Sequence, residues 1–211
     1  MNPPVYFYFL TVSFIVSLFY GLSAKTENYL KILSVVILIA FIGEIVGIKL
    51  SSGNNLWWYN LVTVVEFFLY IIIFYIVINK PVIKKLILLT SLLFLLVAAI
   101  NILFIQGINK FHTISYRFGS VIIIVWIFVY YNQLLTSKRE IALLRNPMFW
   151  ISTGLLFFYT GFFLYFTAFD FIVYKNLSFN KYLFRSISYS LNSLLYTLLT
   201  IAYLCRIQMS K

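Results

Sequence analysis

The chain is short of charge, and the charge it has is lopsided. Only 10% of its 211 residues are charged, with five Asp and Glu against sixteen Lys and Arg. Soluble domains carry roughly a quarter of their residues as charges, so a water-bathed globule is excluded. One histidine, His112, and one cysteine, Cys205, offer neither a zinc set of the usual N/S type nor an internal disulfide. No metal site and no cofactor is expected. The prolines (Pro3, Pro4, Pro81, Pro147) all sit at the ends of apolar runs, so the sequence shows no proline-hinged helix of the kind transporters use. There is no His-Glu-x-x-His pair, no Gly-x-Ser-x-Gly elbow and no glycine-rich phosphate loop. The connections are too short to hold a soluble catalytic domain. No apolar run carries a series of arginines, which excludes a voltage sensor, and no lysine stands mid-way along the last run to form a retinal Schiff base.

What remains is hydrophobic. Apolar residues make up 63% of the chain and aromatics 21%. Runs of about 20 apolar residues recur, each long enough to cross a bilayer as a helix. A transmembrane barrel would need alternating segments of about 10 residues, and these are absent. The expected fold is an all-α integral membrane bundle, one domain over residues 1–211. Its seven spans fall at about 4–22, 30–49, 57–79, 86–105, 114–135, 148–169 and 183–205. The first run is preceded by no Lys or Arg and reads as an uncleaved anchor rather than a secretory signal. Ser51-Ser52-Gly53-Asn54-Asn55 is a turn by composition, and Trp57-Trp58-Tyr59 an interfacial aromatic anchor. Pro147 suits a first helical turn.

Seven spans place the termini on opposite sides. One side collects about ten of the sixteen basic residues, among them Lys80, Lys84, Lys85, Lys138, Arg139 and Arg145; the other collects Lys49, Lys110, Arg117, Lys175, Lys181 and Arg185. The richer side should be cytoplasmic, so the N-terminus is expected outside and the C-terminus inside. The basic residues read as loop charges that meet anionic head groups, not as a nucleic-acid surface. Asn176-Leu177-Ser178 matches a glycosylation triplet on an outer loop, and His112 reads as a surface loop residue.

The candidate functional residues are polar groups inside the spans. Glu44 and Glu66 sit in apolar runs, and an ionisable group there is costly enough to suggest function. A rise of about 1.5 Å per residue puts Glu66 roughly 13 Å below Trp57 and Glu44 roughly 7–8 Å below Lys49, so the two acids can approach across the hairpin of spans two and three. Asn60, Thr63, Glu66 and Tyr70 share one face of span three. Arg185, Ser188, Asn192, Tyr196 and Thr200 share one face of span seven. Asn101 and Arg117 lie near the outer ends of spans four and five. The ligand set expected from this pattern is Glu66, Glu44, Asn60, Arg185, Asn192, Tyr70, Asn101 and Arg117, around a cavity open to the outside. The competing reading is that these groups only bind one another, since Asn, Ser, Thr and Tyr join membrane helices by hydrogen bonds. Gly43-x-x-x-Gly47 is a close-packing pattern beside Glu44.

The segments Glu44 to Gly47, Asn54 to Tyr70, Asn146-Pro147-Met148-Phe149-Trp150 through Gly161, and Asn192 to Tyr203 resemble a set of small bacterial seven-span proteins with no assigned activity. The resemblance implies an inner-membrane bundle with one acid in span two and another in span three, and no reaction. The function expected is that of a receptor- or sensor-like bundle rather than an enzyme. It would bind a small polar ligand or lipid head group in the outward cavity, with Glu66 at its centre and Arg185 as counter-charge. It would signal to a membrane or cytoplasmic protein partner through Lys80–Lys85 and Lys138–Arg145. A small proton-coupled solute carrier, an intramembrane lipid-modifying enzyme and a membrane subunit of a larger complex are the alternatives.

Overall fold

In the first helix the buried positions are Tyr6, Leu10, Ser13, Ser17 and Gly21, spaced four, three, four and four apart. That spacing keeps one face inward, and the small residues on it let neighbouring backbones come close. The computed structural model describes residues 3–21, 23, 26–50, 55–136, 143–175 and 177–209, with side chains described except at 169–175, 177–180 and 206–209. Among them are seven helices: α1 (Val5–Gly21), α2 (Asn28–Lys49), α3 (Leu56–Val77), α4 (Pro81–Ile100), α5 (Thr113–Thr136), α6 (Pro147–Lys175) and α7 (Leu177–Met209). A short turn of 3-10 helix, Leu143–Arg145, precedes α6.

Six of these helices are long and apolar enough to cross a membrane, over Asn28–Lys49, Leu56–Val77, Pro81–Ile105, Thr113–Thr136, Pro147–Ala168 and Lys181–Cys205. Helix α1 is as apolar but has only 17 residues. The outside of the bundle is greasy: Leu88, Leu89, Leu92 and Leu96 on α4, and Leu103 and Phe104 just past its end, are all exposed. Polar residues such as Ser13, Ser17, Asn60, Ser91, Asn101, Ser115 and Ser120 are buried instead. This inversion suits hydrocarbon as the surrounding solvent.

Helices α1, α2, α3, α5, α6 and α7 close a ring, each packed on the next and α7 back on α1; α4 packs outside it, against α3 and α5. The Gly43-x-x-x-Gly47 pattern works as close packing. A Cβ on Gly43 would stand 3.1 Å from Val62 Cγ1, and one on Gly47 would collide with the Tyr59 hydroxyl. Trp58 crosses the same seam, its indole N–H donating to the Gly43 carbonyl at 2.9 Å. Phe67 packs its ring against Phe94, Tyr116 and Tyr159 at centroid distances of 5.1, 5.3 and 4.8 Å, edge-on to Tyr116 and tilted to the other two. At the bundle end where α1 finishes and α2 begins, Tyr203 is fully buried; its hydroxyl lies 2.8 Å from Ser34 Oγ and 3.0 Å from the Leu30 carbonyl.

Two boundaries differ from expectation. Within the basic stretch Lys80–Lys85, Lys80 is the cap position and Pro81–Lys85 open α4 rather than forming a loop, because Pro81 fits the first helical position, where no amide hydrogen is needed. The expected loop Phe171–Tyr182 is helical on both sides of residue 176. There α6 and α7 run on past their apolar stretches. Pro147 starts α6 as expected, and Asn146 caps it, its Oδ1 accepting from the Met148 amide at 3.0 Å. Lys138, Arg139, Glu140, Asn176 and the 51–54 turn lie outside the described residues.

Candidate ligand-binding cavity

The ring of helices encloses a cavity of about 520 Å³, within the roughly 300–1,000 Å³ usual for small-molecule sites. Its rim is built from Asn55, Leu56 and Tyr59 on α3, Phe111 and Thr113 at the start of α5, and Lys181 and Phe184 on α7. All belong to the bundle end where α2 and α6 finish and α3, α5 and α7 begin. The wall descends through Glu44, Thr63, Glu66, Ser188 and Asn192 to Tyr70, Tyr159, Leu195 and Tyr196.

Each acid owes its place to helix periodicity. Glu66 lies one turn above Tyr70 and one below Thr63, and all three line the cavity. Glu66 makes no hydrogen bond or ion pair to the protein among the described residues. Glu44 is anchored. The Tyr6 hydroxyl donates to its Oε2 at 2.9 Å. Glu44 therefore ties α1 to α2, while Glu66 faces the cavity. The two carboxyls share one cavity, whose basic lining residue among the described ones is Lys181 at the rim.

Four of the eight expected ligand residues line this cavity: Glu44, Glu66, Tyr70 and Asn192. The other four are used elsewhere. Asn60 is fully buried and pins the segment between α4 and α5. Its Nδ2 donates to the Ile108 and Lys110 carbonyls at 3.3 and 2.8 Å, and its Oδ1 accepts from the His112 amide at 3.2 Å. Asn101 starts a turn of π helix, Asn101–Ile105, that ends α4. Its Nδ2 donates to Gln106 Oε1 at 2.9 Å and Ser115 Oγ at 2.7 Å. Arg117 bonds back to the Thr113 carbonyl at 3.4 Å. Arg185 is exposed, with its Nε 2.9 Å from the Tyr189 hydroxyl and its guanidinium 5.3 Å over the same ring. The cation at the rim is Lys181, one turn earlier on α7.

The sequence reading missed most of the aromatic wall. Tyr6, Tyr59, Tyr116, Tyr159, Tyr165, Phe158, Phe162 and Phe166 reach the cavity from four helices. A weak signal exists in Tyr159-x-x-Phe162-x-x-Tyr165-Phe166, whose three- and four-residue steps place rings on one face of α6. His112 is buried rather than a surface residue. Both its ring nitrogens lack hydrogen-bond partners among the described residues, and burial pushes its pKa down to about 4. The cause is the segment Gln106–His112. The π turn and Gly107, at φ 77°, fold it back over the bundle, so Phe111 lands in the cavity wall. Among the described residues no group of His, Cys, Asp and Glu is placed to hold a metal.

Searches against protein-family models, curated proteins and solved structures give no match, so the cavity itself carries the functional reading.

Proposed function

We propose that the chain is a multi-pass membrane protein of receptor or sensor type, in a bacterial cytoplasmic membrane, that binds a small ligand in this cavity. The observation that supports it is Glu66, an acid in an apolar bundle that faces the cavity and bonds no other residue among those described. A structural acid would be anchored as Glu44 is. An acid with no protein partner at membrane depth is costly, and a ligand contact is the use that offsets the cost. In this reading α1 is the seventh span. It lies along α2 and α7, and its last residue, Gly21, meets Ser34 and Tyr203 at their inner ends. Seven spans with the richer basic side inside put the cavity rim outside. The inner end is closed by Tyr70, Tyr196 and the Ser34–Tyr203 pair, which favours a receptor over a conduit. The state of the cavity would reach a partner through the basic start of α4, at Lys80, Lys84 and Lys85.

The test is a thermal-shift screen of a small-molecule library on the purified protein in mild detergent. Ligands that raise the unfolding temperature of the wild type and lose that effect in Thr63→Trp, which fills the cavity, are expected. A screen in which every stabiliser acts equally on Thr63→Trp overturns the proposal.

A further inference from the structure

Four tyrosines line the cavity with Glu66: Tyr70, Tyr116, Tyr159 and Tyr196. They come from α3, α5, α6 and α7, so the cluster is built by the fold and not by one helix face. Their relative exposures are 4, 5, 2 and 7%. None of the four hydroxyls has a hydrogen-bond partner among the described residues, although buried tyrosine hydroxyls usually find one. Three of the rings are set against one another. Tyr159 lies 6.1 Å from Tyr70, at 83°, and 6.2 Å from Tyr116. Tyr116 lies 5.9 Å from Phe162. The cavity is therefore lined by two carboxyls, a cluster of electron-rich rings and a set of hydroxyls unused among the described residues. Its basic residue, Lys181, is exposed at the rim, and Arg185 points elsewhere, to Tyr189.

An anionic or zwitterionic ligand would need a cation deep in the cavity, and none is there among the described residues. A metal ion would need several oxygen or nitrogen donors converging within bond length, and no such group is formed. Ring faces and a carboxyl around one apolar space are the chemistry that recognises an alkylated ammonium. Such an ion is too bulky and weakly hydrated for a tight polar cage, yet it is held well by aromatic quadrupoles. The upper wall suits the rest of such a molecule, since Phe111, Phe158, Phe166 and Phe184 offer apolar contact between the tyrosine box and the rim.

We infer that the ligand of this cavity is an organic monocation, an alkylated ammonium with an apolar body. Its cationic end sits in the Tyr70–Tyr116–Tyr159–Tyr196 box against Glu66, and its body points toward the rim. This rests on the reading of the cavity as a ligand site and adds the ligand's class and orientation.

Calorimetry on the purified wild type in a maltoside detergent tests it with three probes of one shape class. These are benzyltrimethylammonium, its uncharged carbon isostere neopentylbenzene, and phenylphosphonate. The cation is expected to bind at least about tenfold more tightly than either other probe, as desolvated cation–ring contacts imply. Glu66→Gln, which keeps the shape of the acid, is expected to weaken the cation about tenfold and leave neopentylbenzene unchanged. The comparison of probes on the wild type does not depend on any variant folding. Equal or tighter binding of the neutral or anionic probe overturns the inference while leaving the cavity a ligand site. Cation binding that Glu66→Gln does not weaken overturns the assigned orientation. Binding of none of the three overturns the inference, and the library screen with Thr63→Trp then tells whether the ligand-site reading falls with it.

Discussion

Glu44 and Glu66 stand in one cavity but are expected to respond in opposite ways when neutralised. The Glu44 carboxyl accepts from Tyr6 at 2.9 Å. Glu44→Ala leaves that hydroxyl without its acceptor, and Tyr6 is buried at 9% exposure. A stranded buried hydroxyl costs about 1–3 kcal/mol. For a chain of this size that lowers the unfolding temperature by about 5 °C. Glu66 has no hydrogen bond to the described residues to lose. Glu66→Gln removes a carboxyl that apolar surroundings disfavour and keeps its shape, so its unfolding temperature stays within about 2 °C of wild type or rises. The assay is intrinsic-fluorescence melting of the three proteins in the same detergent. If Glu44→Ala melts with the wild type, the Tyr6–Glu44 bond does not hold α1 to the bundle. If Glu66→Gln falls as far as Glu44→Ala, Glu66 is part of the scaffold, and the contrast between the two acids is wrong.

Three further outcomes follow from the packing. His112 is neutral in the fold, with its pKa near 4, against about 6.5 in an unfolded chain. As pH falls below 6.5 the unfolded chain takes up a proton that the native state refuses, so stability drops by roughly 2–3 kcal/mol by about pH 4.5; His112→Leu should flatten that part of the melting-temperature profile. A Cβ on Gly119 would stand 2.8 Å from ring atoms of both Phe67 and Phe94, so Gly119→Ala should cost about 1–3 kcal/mol by overpacking, read as a lower melting temperature. Asn60→Ala removes the two donors and one acceptor that hold the segment ending at His112, and hydrogen exchange should speed up over residues 106–113 while the helical core stays protected.

The helices were legible because hydrocarbon leaves a coarse mark. Long apolar runs, Pro147 and the Gly43-x-x-x-Gly47 seam each act through local rules, and each stands where the sequence puts it. The cavity was half legible. Glu44, Glu66, Tyr70 and Asn192 could be chosen because a polar group in an apolar run is conspicuous. The aromatic wall could not, because a tyrosine in a chain that is 21% aromatic carries no such mark. Tyr159 earns its place only when α6 closes the ring against α3 and α5. Asn60 and Asn101 show the converse. Their polarity is as conspicuous as that of Glu66, but it satisfies carbonyls and side chains around the π turn, a feature with no simple sequence signal. Arg185 was chosen from its stripe on α7, yet a long side chain near a helix end can swing away from the stripe, and it does so to reach Tyr189.

The central claim is that Glu66 lies in a water-reached cavity that opens to the outside and takes a ligand. The direct measurement is labelling of Thr63→Cys, one turn from Glu66, in a Cys205→Ser background where it is the sole thiol. A membrane-impermeant thiosulfonate bearing a trimethylammonium group is added to intact cells. The account predicts that Cys at 63 labels from outside and that benzyltrimethylammonium slows the labelling. A thiol at 63 that stays unlabelled until the cells are opened, or never reacts, contradicts it.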